Sequence, residues 1–471
     1  MSASISGSSE FAGWRAYLWP VHRHELKKLI PMLLIFFLIS FDYNILRTLK
    51  DTLVVTAKDS GAEVIPFIKV WVMFPGALLM TFLFTRLSNR LNLERVVYVM
   101  IGVFLTYFLV FIALLYPAKD YLHPHQTADA LSQILPLGLK GMIAMFRYWV
   151  FTSFYVMSEL WSNIILSMLF WGFANQVTKV GEAARFYGLF GIGANFSGVA
   201  AGGVSVWLSQ IAYNPYLPYG TNSWEQSMLL LIGLVIIAGL GSMVIFRWMN
   251  RSVLKDALTA ETLQYDKEKE RLSLRESLRY LLGSKYLMCV AGIVVSYNLV
   301  INLIEVIWKH EVRALYPNPG DYNLYMNQVT TWIGVLATLS ALFISGNSLR
   351  KFGWTFTAML TPAILFITSI GFFSFFFLKE SSSDMLLPFL GTPLMMVVFF
   401  GSCQNMMSRA AKYSVFDATK EMAFVPLQPE CKVKGKAAID GVCSRLGKSG
   451  GSLAHQMLLV LFSTHLQSNL S

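Results

Sequence analysis

The sequence predicts an all-α polytopic membrane protein made of two similar six-helix halves, with eleven spans in this chain and a twelfth missing. Three observations lead there. Charged residues make up 14% of the chain and hydrophobic ones 55%, with a mean hydropathy of +0.53, whereas a soluble chain is about 25% charged. Apolar runs of the roughly 20 residues that cross a hydrocarbon core recur eleven times. One long charged stretch, residues 250–285, divides them six to five.

In order, the runs lie near 29–49, 65–87, 95–117, 143–175, 184–209 and 226–248, then near 286–308, 328–347, 354–378, 385–408 and 438–463. The 143–175 run exceeds what one tilted span requires, so it either continues as a cytoplasmic helix or breaks around Ser158 to Ser162. Loop lysines and arginines stay on the cytoplasmic side. Arg15, Arg23, Lys27 and Lys28 precede the first run, Arg86, Arg90 and Arg95 separate the second from the third, and Lys179 and Arg185 separate the fourth from the fifth. Arg350 and Lys351, then Lys412 to Lys436, continue the alternation. The N-terminus is therefore expected inside, and an odd count of spans leaves the C-terminus outside. The loops YNPYLPYGTNSWEQ and LYPNPGDYNLYMN, poor in basic residues, face outward. The polar start MSASISGSSEFAGW and the length of the first apolar run argue against a cleavable signal.

The domain organisation follows: residues 1–249 form the first half, 250–285 a cytoplasmic linker containing the amphipathic YDKEKERLSLRESLR, and 286–471 the second half with five spans. Two halves joined this way suit alternating access to a solute site at the membrane midplane. The net charge of +11 suits nucleic acid, anionic lipid headgroups or an anionic solute, and its concentration in the alternate loops of a membrane protein argues against nucleic acid. The four cysteines, Cys289, Cys403, Cys431 and Cys443, have no CxxC spacing, so neither a disulfide framework nor a metal site is expected, and no cofactor. The loops offer no nucleophile, base and orienting group together, so an enzyme is not expected.

Ionisable side chains within apolar runs are costly, about 2.5–3.5 kcal/mol each on insertion scales, and so mark function. At the outer end of the first run, Arg47 and Lys50 share a helix face in LRTLKD, with Asp51 one turn from Arg47. They read either as a clamp for an anion or as a snorkelling pair with Asp51 as local counter-ion. Glu159 sits mid-run with Asn163 one turn on. Glu305 continues a polar stripe with Asn298 and Asn302, and Lys309 at i+4 offers it an intrahelical ion pair. In the last run, CSRLGKSGGSLAHQ carries Arg445, Lys448 and His455 among glycines that allow unwinding or close approach of a ligand. It is not a phosphate-binding P-loop, because Gly441 precedes Gly447 by one residue too many and no strand precedes it. His455 reads as an interface histidine. Lys50, Glu159, Glu305 and Lys448 balance in sign and could close a network that a polyanion would break. Tyr43, Tyr155, Trp161 and Tyr297 stand near these charges and either stack on a planar base or simply pack.

The strings LKDTLVVTAKDSGAEVIPFIKVW (49–71), YVMSELWSNIILSMLFWGFANQVTKVGEAARFYGLFGIGAN (155–195), INLIEVIWKHEVRALYPNP (301–319), AKYSVFDATKEMAFVPL (411–427) and KVKGKAAIDGVCSRLGKSGG (432–451) resemble the ATP/ADP translocase-type nucleotide transporters of plastids and obligate intracellular bacteria. The resemblance covers nearly the whole chain. It implies a twelve-helix, major-facilitator-like transporter of the bacterial inner membrane that exchanges external ATP for internal ADP. It also implies functional charges at Lys50, Glu159, Glu305 and a lysine of the second half, matched by Lys448 or by the nearby Lys434 or Lys436. Family members that exchange ATP and ADP read RDTKD where this chain reads Arg47-Thr48-Leu49-Lys50-Asp51. One acid is thus missing beside the clamp. The alternative is a proton-coupled importer of nucleotides such as GTP, UTP or ATP, with Glu159 or Glu305 carrying the proton. Arg47, Asn302 and Arg445 complete the expected substrate site.

Overall fold

The computed structural model describes residues 21–178, 180–253, 281–381, 392–424, 439 and 443–468. Most of the expected linker, together with Lys434 and Lys436, lies outside these residues. The fold is helical throughout the described residues. Eleven helices are numbered here: α1 (Leu26–Val55), α2 (Phe74–Arg90), α3 (Leu93–Val110), α4 (Trp149–Trp161), α5 (Val180–Ser209), α6 (Ser223–Ser252), α7 (Lys285–Leu315), α8 (Pro319–Leu339), α9 (Gly346–Ser381), α10 (Pro393–Ala411) and α11 (Ser444–Ser468).

Local chemistry sets the starts of several. Asn222 caps α6 by accepting from the Glu225 amide at 3.0 Å, and Thr392 caps α10 through Met395 at 3.3 Å. α8 begins at Pro319, behind the Asn318 side chain, which accepts from the Gly320 amide at 2.9 Å. The expected loop LYPNPGDYNLYMN is therefore mostly the first turns of α8, because proline at the first helical position needs no amide partner.

Among the described residues nine helices are long and apolar enough to cross a membrane, against the eleven expected. α10 and α11 occupy the other two runs, but their inward faces are polar. α10 carries Gln404, Asn405 and Arg409, and α11 carries Lys448 and Gln456. The long fourth run does not continue as a single straight helix. The chain bends at Tyr148 (φ −103°, ψ 46°), between Lys140–Arg147 and α4, and from Ser162 to Phe170 it winds as a wider π-helix. Similar π-wound stretches occur at Ile68–Met73, leading into α2, and at Lys412–Phe416, after α10. π-turns inside helices recur at functional sites.

Backbone contact holds α5 on α8. A Cβ added to Gly334 would lie 2.8 Å from the Asn195 carbonyl oxygen, and one added to Gly202 would meet Thr331 Oγ1 and stand 2.9 Å from the Asn327 carbonyl oxygen. Small residues let membrane helices approach this closely. Two glycines of α11 act likewise, and the helix runs through them without unwinding. Gly447 abuts Val295 and Gly451 abuts Leu299, both on α7, which places Lys448 beside the α7 polar stripe.

Further ties between helices on either side of the linker gather at the Val55 end of α1. Thr52 donates to Asn323 Oδ1 of α8 at 3.3 Å, Lys309 of α7 reaches Asp51 at 2.7 Å, and Arg313 donates to the Ala57 carbonyl at 3.3 Å. The segment before α2 joins α11 there as well: Gln456 donates to the Pro66 carbonyl at 2.8 Å and accepts from Trp71 at 3.2 Å.

Candidate functional site

One cavity of about 190 Å³ lies among α1, the segment leading into α2, α4, α7, α10 and α11. Arg47, Lys50, Glu159, Asn302, Glu305 and Lys448 all line it, as do Tyr43, Tyr155 and Tyr297. The sequence-predicted residues are thus brought together from four helices. Trp161 and His455 stand apart from this set, in keeping with packing and interface roles. Trp161 is fully buried away from the cavity, donating to the Ile39 carbonyl at 3.1 Å, so it packs rather than stacking on a ligand. His455 does not line the cavity. Arg445 lies on α11, but its side chain is outside the described ones.

The carboxylates form a chain of alternating charge. Glu159 Oε2 lies 3.2 Å from Lys50 Nζ, which also reaches Asp51 Oδ1 at 3.1 Å. Asp51 Oδ2 accepts from Lys309 at 2.7 Å. Lys309 pairs with Glu305 one turn earlier at 2.7 Å, and Glu305 also meets Arg409 at 2.7 Å. The intrahelical pair read from the sequence is therefore present, as one link of a longer chain. The expected four-residue network is corrected: Lys448 takes no part, while Asp51, Lys309 and Arg409 do. Asp51 serves Lys50 and Lys309; although Arg47 stands one turn away on the same face, the two make no ion pair among the described residues. Lys50 also stands over the Tyr155 ring, 3.7 Å from its centroid.

Four further cations line the cavity without a carboxylate within ion-pair distance among the described residues: Arg47, Lys69, Lys412 and Lys448. Lys69 donates to Asn302 Oδ1 at 2.6 Å, and Asn302 in turn donates to the Lys448 carbonyl at 2.6 Å. Lys448 itself is exposed on the cavity wall. Seven cations against three carboxylates leave the cavity a formal excess of +4.

Sequence reasoning missed Lys69 and Arg409 and read Lys412 only as a topology marker. Each lies near the end of an apolar run, where basic residues usually anchor in headgroups. No sequence signal marks Lys69 and Lys412, because each sits in a π-wound stretch that displaces side chains by part of a turn and is not visible as periodicity.

The family model described as "TLC ATP/ADP transporter" matches residues 5–470. The chain belongs to this family. The transporter is 45% identical over 455 residues to ADP,ATP carrier protein 1 of Chlamydia pneumoniae, covering 96% of this chain and 88% of that one. It is 42% identical over 439 residues to the chloroplastic ADP,ATP carrier protein 1 of Arabidopsis thaliana, covering 93% and 69%. Among solved structures, the partially occluded inward-open form of the xylose transporter XylE from E. coli superposes with a TM-score of 0.52 at 12% identity, covering 94% of this chain and 97% of that one. That likeness shows the fold, major-facilitator-like as expected. The transporter is a multi-pass membrane protein and not an enzyme.

Proposed function

We propose that the transporter exchanges external ATP for internal ADP across a bacterial inner membrane by alternating access, and that the cavity holds the phosphate chain. The observation that carries this is the set of four cations, Arg47, Lys69, Lys412 and Lys448, facing one space without carboxylate partners among the described residues. A polyphosphate supplies the missing charge through charge-assisted hydrogen bonds. The chain from Glu159 to Arg409 positions Lys50 and competes with phosphate for it, so binding and release stay balanced. Arg445 is assigned to the same site by its place three residues before Lys448.

The two-half division at residues 250–285, the cytoplasmic N-terminus and contact with membrane lipid belong to this reading. With the N-terminus inside, the ties at the Val55 end of α1 seal the outer side. A ligand pocket usually runs to at least about 300 Å³, so the cavity widens to admit a whole nucleotide.

The test uses proteoliposomes, loaded with ADP or empty, given labelled ATP with no proton gradient. Uptake that requires internal ADP supports exchange. Uptake into empty vesicles that rises on external acidification supports proton-coupled import of nucleotides instead, the reading favoured by the departure at Arg47-Thr48-Leu49-Lys50-Asp51. In that case Glu159 and Glu305 are poor proton carriers, because each is already engaged by cations.

A further inference from the structure

Away from the cavity, α1 buries a second acid. Asp42 is 0% exposed, and neither of its carboxyl oxygens has a hydrogen-bond partner among the described residues. Its neighbours along the helix face, at i±3, i±4 and i±7, are Ile35, Leu38, Ile39, Ile45, Leu46 and Leu49, all apolar. Leu38 on this face is directed at Gly241 of α6. Tyr43, Arg47 and Lys50, which line the cavity, project from a different side of the same helix.

None of the described charged groups on the helices packed against α1 pairs with Asp42. Glu182 of α5 pairs with Lys28, Glu225 of α6 with Lys119, and Glu159 of α4 with Lys50. Arg247 and Arg251 stand in the last turns of α6, and Asp321 in the first turn of α8. Within the described residues no cation compensates Asp42. An ionised carboxylate in such a place is far costlier than the neutral acid, so the group keeps its proton.

We propose that Asp42 is a proton-binding site of the transport cycle, separate from the nucleotide cavity and occupied by a proton in the conformation seen here. The proton leaves only when α1 is drawn far enough from α6 to admit water. Reclosing without the proton strands an unpaired charge and halts the cycle, so transport declines as pH rises through the titration of Asp42. The occupancy of the site stands on burial alone, while its link to the cycle rests on the transport reading.

The experiment compares the parent with Asp42→Asn, which mimics the neutral acid in shape and charge, in ADP-loaded proteoliposomes at equal pH on both sides. ATP uptake by the parent is expected to show an alkaline limb falling by about tenfold per pH unit, the slope of one titrating proton. D42N is expected to match the parent at acid pH and to lack that limb. An alkaline limb unchanged in D42N overturns the proposal. Infrared difference spectra, parent minus D42N at neutral pH, test the site without any transport. A protonated-carboxyl stretch present only in the parent supports the assignment, and its absence overturns it. If D42N does not insert, Asp42→Ser supplies the difference spectrum and the same two outcomes decide.

Discussion

Asp51 of α1 and Lys309 of α7 meet at 2.7 Å with side-chain exposures of only 2% and 3%. This pair joins the helices before the linker to those after it, at the end where the neighbouring ties also gather. Removing Lys309 leaves Asp51 with Lys50 alone and Glu305 with Arg409 alone, in a place with little water. Lys309→Gln is expected to cost about 3–5 kcal/mol, read as a lower melting temperature in detergent, with part of the loss recovered in the Asp51→Asn, Lys309→Gln double variant. A single variant as stable as the parent would show that the pair does not hold the two sides together.

Lys69→Ala and Lys412→Ala are each expected to raise the KM for ATP about tenfold or more, since a charge-assisted bond to phosphate contributes about 1.5–3 kcal/mol. Lys448→Ala and Lys50→Ala are expected to abolish uptake while the protein still reaches the membrane. Rates and concentration dependence in proteoliposomes check all four. Near-normal uptake by Lys69→Ala and Lys412→Ala together would remove the unpaired cations from the phosphate site.

Much of this site was legible because charge inside an apolar run is conspicuous. Lys50, Glu159 and Glu305 announced themselves by cost, and the Lys309 spacing announced one real ion pair. Arg409 and Lys412 were hidden by the same rule, since cations at the end of a run look like topology signals. Which cations pair and which stay free was not legible at all. It depends on helix rotation and on the wide winding at Lys69 and Lys412, neither of which leaves a mark in hydropathy. The glycines of α11 were visible, but their partner, α7, was not.

The α5–α8 seam depends on bare backbone. Gly334→Ala places a methyl 2.8 Å from the Asn195 carbonyl oxygen, and the resulting overpacking is expected to destabilise the protein by about 1–3 kcal/mol. Alanine at Gly203, which has open space around it, serves as the control and should leave the melting temperature nearly unchanged. Equal effects of the two substitutions would dismiss the seam.

Outside the spans, His123 is buried with Nε2 unpartnered, its ring edge-on to Tyr148 and Phe151. Burial, with His125 nearby, lowers its pKa from 6.5 to about 4. The unfolded chain therefore binds the proton first, and folding stability is present above about pH 6.5 and lost as pH falls toward 4. The melting temperature is expected to decline over that window, and His123→Gln to flatten the decline. An unchanged pH profile in that variant would place the acid sensitivity elsewhere.

The excess of positive charge in the cavity has an electrical consequence. The six-membered chain from Glu159 to Arg409 is neutral as a unit, so it can rearrange without moving net charge through the membrane field. The four remaining cations cannot. Each elementary charge carried across a membrane potential exchanges about 2.3 kcal/mol per 100 mV, and an empty cavity turning from one side to the other would carry its surplus past the apolar barrier uncompensated. A bound polyphosphate cancels most of that surplus. The loaded carrier therefore turns more readily than the empty one, and a machine of this kind behaves as a counterweighted shuttle, returning only when it has something to bring back.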